Sequence, residues 1–286
     1  MARKLSARVS DTSHWRKDSP VQPLQSPMGS VSWVDAQGAR LVGVFRALRD
    51  IWVMSYGALR ESWFHDLQGS RSILSVILSQ VYFTGVQAFT LVTVLGAALG
   101  AVVILNVSAL AFVADLKLLA QVLVVIVVRE LGPLLIALIL IARSGTAIAA
   151  ELGNMKINQE IDALKAMAIQ PLSYIVYPRL VGGIISIVCL TFYFNLVALV
   201  GGFAVSRLFH SIPFGLYFNT LAETLTVRDV GFFLTKNLLN GATLFAICCY
   251  QGLQVQESPH EVPQATTRAV MQSITAVGIT TLVTSA

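Results

Sequence analysis

From about Val81 onward the chain is written in long apolar runs separated by short polar breaks. A helix needs about 20 predominantly apolar residues to cross a bilayer. Five stretches approach that length, near Val81 to Leu105, Leu118 to Ala142, Leu180 to Val205, Gly231 to Val255 and Ala269 to Ala286. Gln87 interrupts the first, and Arg129 with Glu130 stand in the middle of the second. Lys236, Asn237 and Asn240 weaken the fourth, and the last is barely long enough. Only helices or closed barrels satisfy every backbone group in hydrocarbon, and the alternating ten-residue segments of a barrel are absent from this pattern. The predicted fold class is therefore all-α: a polytopic integral membrane protein with five transmembrane helices.

The chain before the first run has a different texture. Residues 1–38 are polar, carry Pro20, Pro23 and Pro27, and read as a disordered cytoplasmic tail with no signal peptide. Over residues 39–68 the pattern turns helical: Leu41, Val44, Phe45, Leu48, Ile51, Trp52 and Leu59 fall near a 3.6-residue period among Arg40, Arg46, Arg49 and Arg60. This predicts an N-terminal interfacial amphipathic helix lying in the membrane plane, or a helix packed on a partner. Residues 69–286 form the membrane domain.

Composition agrees with a lipid environment: of 286 residues, 55% are hydrophobic and 12% charged, and mean hydropathy is +0.72. Soluble domains carry about 25% charged residues. Ten of the 20 Lys and Arg precede residue 72, which points to the anionic cytoplasmic leaflet. No aromatic-interleaved basic patch supports nucleic-acid binding. With the N-terminus inside, the cytoplasmic segments hold fifteen Lys and Arg and the outer loops three (Lys117, Arg207 and Arg228), with Arg129 and Lys236 inside spans. The positive-inside rule then sets a cytoplasmic N-terminus and an outward C-terminus. Cys189, Cys248 and Cys249 lie in apolar runs and read as small hydrophobes, and the four histidines are scattered, so no metal site is expected.

Two segments invite a chemical explanation. Charges at a helix centre cost about 2.5–3.5 kcal/mol each on insertion scales, so Arg129 and Glu130 require partners. Adjacent positions point about 100° apart and cannot neutralise each other fully. Pro133 removes a donor and frees the carbonyl of Arg129. The cluster is either a polar pocket beside a substrate path, with Arg129 on a phosphate and Glu130 paired to Lys236, or a structural ion pair between helices. The second segment runs from Ser144 to Pro171. Ile148, Leu152 and Met155 share one helical face, while Ile157, Ile161, Leu164 and Ala168 gather on the opposite one. Two opposed stripes predict a break near Gly153-Asn154 or a helix held between two bodies, with one chain or a partner supplying the second. The P-loop pattern GxxxxGK[ST] is absent, as are HExxH and a Ser/His/Asp order, so no catalytic residue is expected. Gly96 and Gly100 form a GxxxG, a weak signal most simply read as lipid-facing or intrachain packing.

The residues Arg129-Glu130-Leu131-Gly132-Pro133, Ala142-Arg143-Ser144-Gly145-Thr146-Ala147 and Glu151-Leu152-Gly153-Asn154-Met155 together resemble the MlaE family. So do Ile161-Asp162-Ala163-Leu164-Lys165-Ala166-Met167, Pro171, Pro178-Arg179 and Thr266-Thr267-Arg268-Ala269-Val270. The likeness covers roughly residue 40 to the end. It implies the permease of an ABC transporter that moves phospholipid between the bacterial inner membrane and a periplasmic Mce-domain protein. It also implies a homodimer, a cytoplasmic ATP-binding-cassette ATPase that holds ATP and Mg while this chain holds no cofactor, and a lipid pathway at Arg129, Glu130 and Lys236. The segment carrying Glu151, Met155, Lys156, Gln159, Glu160, Asp162 and Lys165 becomes the cytoplasmic coupling helix. Gln159-Glu160 stands where the family usually reads Glu-Gln, and Thr280-Thr281 where an acidic residue is common. A non-transporting scaffold that anchors an Mce ring and an uncoupled channel are the alternatives.

Overall fold

The computed structural model describes residues 49, 51, 53, 70–110, 124–167, 169–210, 214–256 and 258–285. The expected tail, 1–38, lies outside the described residues, as does the expected interfacial helix, 39–68, apart from three positions. Of those, Ile51 is buried in the main core and Val53 is exposed. The described residues belong to one compact unit, Leu48–Ala286.

Every regular element among the described residues is helical. In chain order they are α1 (Ser70–Gly85), α2 (Phe89–Leu110), α3 (Gly132–Leu140), α4 (Thr146–Ile157), α5 (Glu160–Ala166), α6 (Tyr177–His210), α7 (Phe214–Thr224), α8 (Val227–Leu253) and α9 (Glu261–Ser285). Wider π-helical turns join several of these into longer rods. Four rods are long and apolar enough to cross a membrane: Leu74–Asn106, Val124–Ile157, Leu172–Leu208 and Val227–Leu253. The fifth expected span corresponds in position to α9, which has 25 residues but is not among the four apolar enough to cross. Its threonines account for much of that polarity. Thr266, Thr267, Thr275 and Thr284 each return their hydroxyl proton to a carbonyl one turn back, which leaves little polar demand on the surroundings.

The rods run past the expected boundaries. The second continues from the expected end at Ala142 to Ile157, because Arg143 donates to Gln87 of the first rod and Ser144 is buried. The break expected near Gly153-Asn154 occurs instead at Asn158-Gln159, where Gln159 is the one non-glycine residue with left-handed backbone among the described residues (φ 59°). Gly153 serves packing: a Cβ there would meet Val255 at 3.1 Å and Val262 at 3.2 Å. The segment between the third and fourth rods, expected as an outer loop, contains α7. Its Phe214, Tyr217 and Phe218 pack around Phe203 with ring centroids 5.4 to 5.7 Å away.

The tightest seam joins α2 to α6. A Cβ on Gly100 would run into the Ala198 backbone carbonyl, and one on Gly201 would sit 2.9 Å from the Ala97 Cα. The GxxxG of α2 therefore brings two helices of one chain to backbone contact. On the other side of α6, α8 is the most enclosed rod and is packed between α6 and α9.

Candidate functional site

The charged residues of the second rod meet α8. Val124–Leu131 is π-helical and runs directly into α3, which has Pro133 in its first turn. Proline has no N–H, so the Arg129 carbonyl loses its helical donor. Lys236 Nζ supplies a replacement at 3.1 Å. The same ammonium donates to Glu130 Oε2 at 2.7 Å and to Ser285 Oγ at 2.8 Å. A lysine has three protons, and here each has an acceptor. That completeness allows Lys236 to be 4% exposed within an apolar span. Ser285 Oγ also lies 2.9 Å from Glu130 Oε2 and 2.7 Å from the Thr281 carbonyl, which compete for its single proton.

Arg129 pairs with Asp229. Asp229, 2% exposed, does two jobs: its Oδ2 accepts the Thr226 backbone N–H at 2.8 Å and closes the capping box that starts α8. Asp229 and Lys236 are seven residues apart, two helical turns, and so share a face of α8. Neighbouring opposite charges on the second rod thus reach two opposite charges on α8, and the four sum to zero. The expected Glu130–Lys236 pair is present. For Arg129, expected to pair with a phosphate or to take part in a structural ion pair between helices, the partner in this structure is the Asp229 carboxylate of the same chain. The hydropathy pattern does not single out Asp229, although Thr226-Val227-Arg228-Asp229 is a capping sequence that ends seven residues before Lys236. Arg129 Nε is buried without a partner, while the side chain as a whole is 41% exposed.

Polar contacts continue along α8. Asn237 accepts from Thr191 of α6 at 2.8 Å, Asn240 accepts from Thr280 of α9 at 2.6 Å, and Gln251 donates to Gln272 at 2.7 Å. At Thr280, one of the two positions where an acidic residue is expected from the resemblance, a neutral hydrogen bond stands.

The expected coupling residues divide into two sets. Glu151 bonds Arg179 of α6 at 2.7 Å and Met155 packs against the core, so both tie α4 to its own chain. Lys156 is half-buried in the wall of a cavity of about 570 Å³ that Ile161, Lys165 and Pro171 also line. Gln159, Glu160, Asp162 and Lys165 are exposed at the turn and on α5. Because the chain turns at Gln159, Ile148 and Leu152 of one stripe and Ile161 of the other are all buried within this chain. Ala168 lies outside the described residues. Lys165 donates to Asp162 at 2.8 Å, and this bond, with the nearby Lys165 and Lys156 charges, holds the Asp162 carboxyl below its ordinary pKa of 3.8. Cys248 and Cys249 are buried and Cys189 is exposed. No cluster of His, Cys, Asp and Glu suited to a metal occurs among the described residues.

Comparison with known proteins agrees with this layout. The family described as Permease MlaE matches residues 77–286. A probable ABC transporter permease of Rickettsia typhi is 31% identical over 201 residues, covering 70% of this chain and 78% of the relative. The intermembrane phospholipid transport system permease protein MlaE of Haemophilus influenzae is 27% identical over 266 residues, 89% of this chain and 97% of its own length. The chloroplastic protein trigalactosyldiacylglycerol 1 of Arabidopsis thaliana is 28% identical over 161 residues, 55% of this chain and 45% of the relative. The matched segment takes in the second rod, α8 and the ion pairs between them, and the chain belongs to the MlaE permease family.

Proposed function

We propose that this chain is the membrane subunit of an ABC transporter that moves phospholipid, or a similar lipid, between a bacterial inner membrane and a periplasmic Mce-domain partner. On this reading the chain works as a homodimer of five-span subunits with a cytoplasmic N-terminus and a periplasmic C-terminus. Energy comes from a separate ATP-binding-cassette ATPase, which holds ATP and Mg²⁺, since this chain lacks a P-loop. Arg129, Glu130 and Lys236 border the lipid path. Gln159, Glu160, Asp162 and Lys165, exposed beyond the break in the second rod, meet the ATPase.

The observation that carries the reading is the charge network itself. Burying ion pairs in a membrane is costly, and scaffolds assemble as well with hydrocarbon. The Arg129 side chain is also 41% exposed, within reach of a lipid phosphate. The completeness of the Lys236 bonds favours a second reading, in which the network only locks the second rod, α8 and α9 of a static scaffold.

One reconstitution separates the two. The chain and its ATPase are placed in proteoliposomes, and ATP-dependent transfer of fluorescent phospholipid to an Mce-domain acceptor is measured. The permease reading expects no hydrolysis by the chain alone, and hydrolysis with lipid transfer once the ATPase is added. ATPase binding without any lipid transfer would leave the scaffold.

A further inference from the structure

A hydrocarbon-lined cleft of about 430 Å³ runs between α6 and α8, close to the Arg129–Asp229 pair. Phe192, Leu196 and Leu199 form one wall, and Val230, Phe233 and Leu234 form the other. The side that faces away from the bundle is open, because Phe192, Leu196 and Val230 are exposed there. From Val188 to Leu199 the cleft follows α6 for roughly 16 Å at 1.5 Å per residue, a length that suits an extended alkyl chain rather than a compact solute. One end is polar. Asp229 lines it, and Asn195, 6% exposed with its Oδ1 unpartnered, stands in the wall. Arg129 does not line the cleft but bonds Asp229 at that end, and its side chain is 41% exposed. Hydrocarbon walls with a cationic donor at one end match the two halves of an anionic or zwitterionic amphiphile.

We propose that this cleft is a lateral site for one acyl tail of a membrane phospholipid whose phosphate is taken by Arg129. The proposal rests on the lipid-transport reading and adds a route: lipid enters each chain sideways from the bilayer, between α6 and α8. Phosphate arrival shares Arg129 with Asp229, which keeps its capping bond to Thr226 and so does not need to move. Water is a poor alternative occupant, because a dry apolar cleft facing hydrocarbon offers it almost no partners.

The test uses the full chain with its ATPase in nanodiscs containing a phosphatidylethanolamine that carries a diazirine in one tail. Diacylglycerol with the same tail serves as the arm without phosphate. After irradiation, adducts are mapped by peptide mass spectrometry. Adducts from the phosphate lipid are expected on peptides covering 188–199 and 225–234. They should exceed the diacylglycerol yield there by roughly tenfold, the worth of one charge-assisted hydrogen bond. The paired variant Arg129→Gln with Asp229→Asn, which leaves no unpaired charge, should remove that difference. Filling the cleft with Cys189→Trp and Leu234→Trp should abolish both the adducts and lipid transfer, whereas Val94→Trp, on the exposed face of α2, should do neither.

If the filled variant does not fold, protection of Cys189 decides. It is the exposed cysteine of the three and lines the cleft, so dodecylphosphocholine should slow its reaction with maleimide more than dodecyl maltoside does. Equal adduct density on every lipid-facing helix, or equal protection by the two detergents, overturns the site. Lipid transfer that persists in a folded, filled variant overturns the route but leaves the transporter reading intact. Wild-type protein that binds at the cleft yet transfers no lipid overturns the transporter reading instead.

Discussion

Lys236 has every proton engaged, and its fate after mutation depends on what is left behind. Lys236→Met leaves Glu130 facing an apolar chain and strands the Arg129 carbonyl. Removing one member of a buried pair costs about 3–5 kcal/mol, and the partial exposure of Glu130 places this loss near the lower end. The double variant Lys236→Met with Glu130→Gln should recover most of it. The measurement is unfolding of the purified protein in a denaturing-detergent titration, and a double variant no more stable than the single one contradicts the pairing. Asp229 separates its two roles in a similar way. Asp229→Asn keeps an acceptor for Thr226 N–H and loses only the ion pair, while Asp229→Ala also loses that hydrogen bond of the capping box, worth about 1 kcal/mol more. The same titration should therefore rank Ala below Asn. Glu130 and Lys236 were legible in the sequence because charges within an apolar run demand partners. Asp229 was not, because it stands at a helix start, where an acidic residue needs no further explanation.

Helix packing and helix breaks were legible to different degrees. The GxxxG of α2 showed in the sequence, but its partner did not: which helix comes near depends on tertiary folding. Gly100→Ala should force α2 off α6, because the new methyl collides with the Ala198 carbonyl, and lower the yield of folded protein sharply in gel filtration. Gly278→Ala is the contrasting case. Nothing lies within 4 Å of a Cβ there, so the change should be neutral or stabilising, by up to about 1 kcal/mol of helix propensity. The break between α4 and α5 was misplaced at the glycine because glycine is the usual residue for such a turn. The chain turns instead at Gln159, at a backbone angle that costs a side chain roughly 1–2 kcal/mol. Gln159→Gly should be tolerated with little change in melting temperature, while Gln159→Val, branched at Cβ, should lower it clearly.

At the scale of the whole molecule, the charges of α5 are exposed, and the one ion pair among them, Lys165 with Asp162, stays within that helix. Glu160→Lys combined with Asp162→Lys should leave membrane insertion intact and reduce co-purification of the ATPase, since like charges at an interface cost several kcal/mol. Unchanged co-purification would remove α5 from the contact. Acid should not mimic that variant near neutral pH. The folded pKa of Asp162 is depressed, so the stability it contributes is fully present above its ordinary 3.8 and is lost only as pH falls through the lower folded value. Binding measured from pH 8 to pH 5 should accordingly show no titration from this residue. The helical membrane class was readable from hydropathy alone, whereas the lengths of the rods were not. Arg143 and Thr146 look like part of a loop until Gln87 is seen to accept from the first and the Ala142 carbonyl from the second. The polarity of α8 has a consequence for how the protein is made. With Asp229, Lys236, Asn237 and Asn240 buried on it, this segment is the least apolar of the four rods, and a Lys near a helix centre weighs about 2.5–3.5 kcal/mol against insertion. Docking on the second rod, synthesised about a hundred residues earlier and carrying Arg129 and Glu130, is therefore expected to aid its insertion. Loss of those two residues would then surface first as a biogenesis defect, with α8 slipping out of the bilayer and the nascent chain degraded by quality-control proteases.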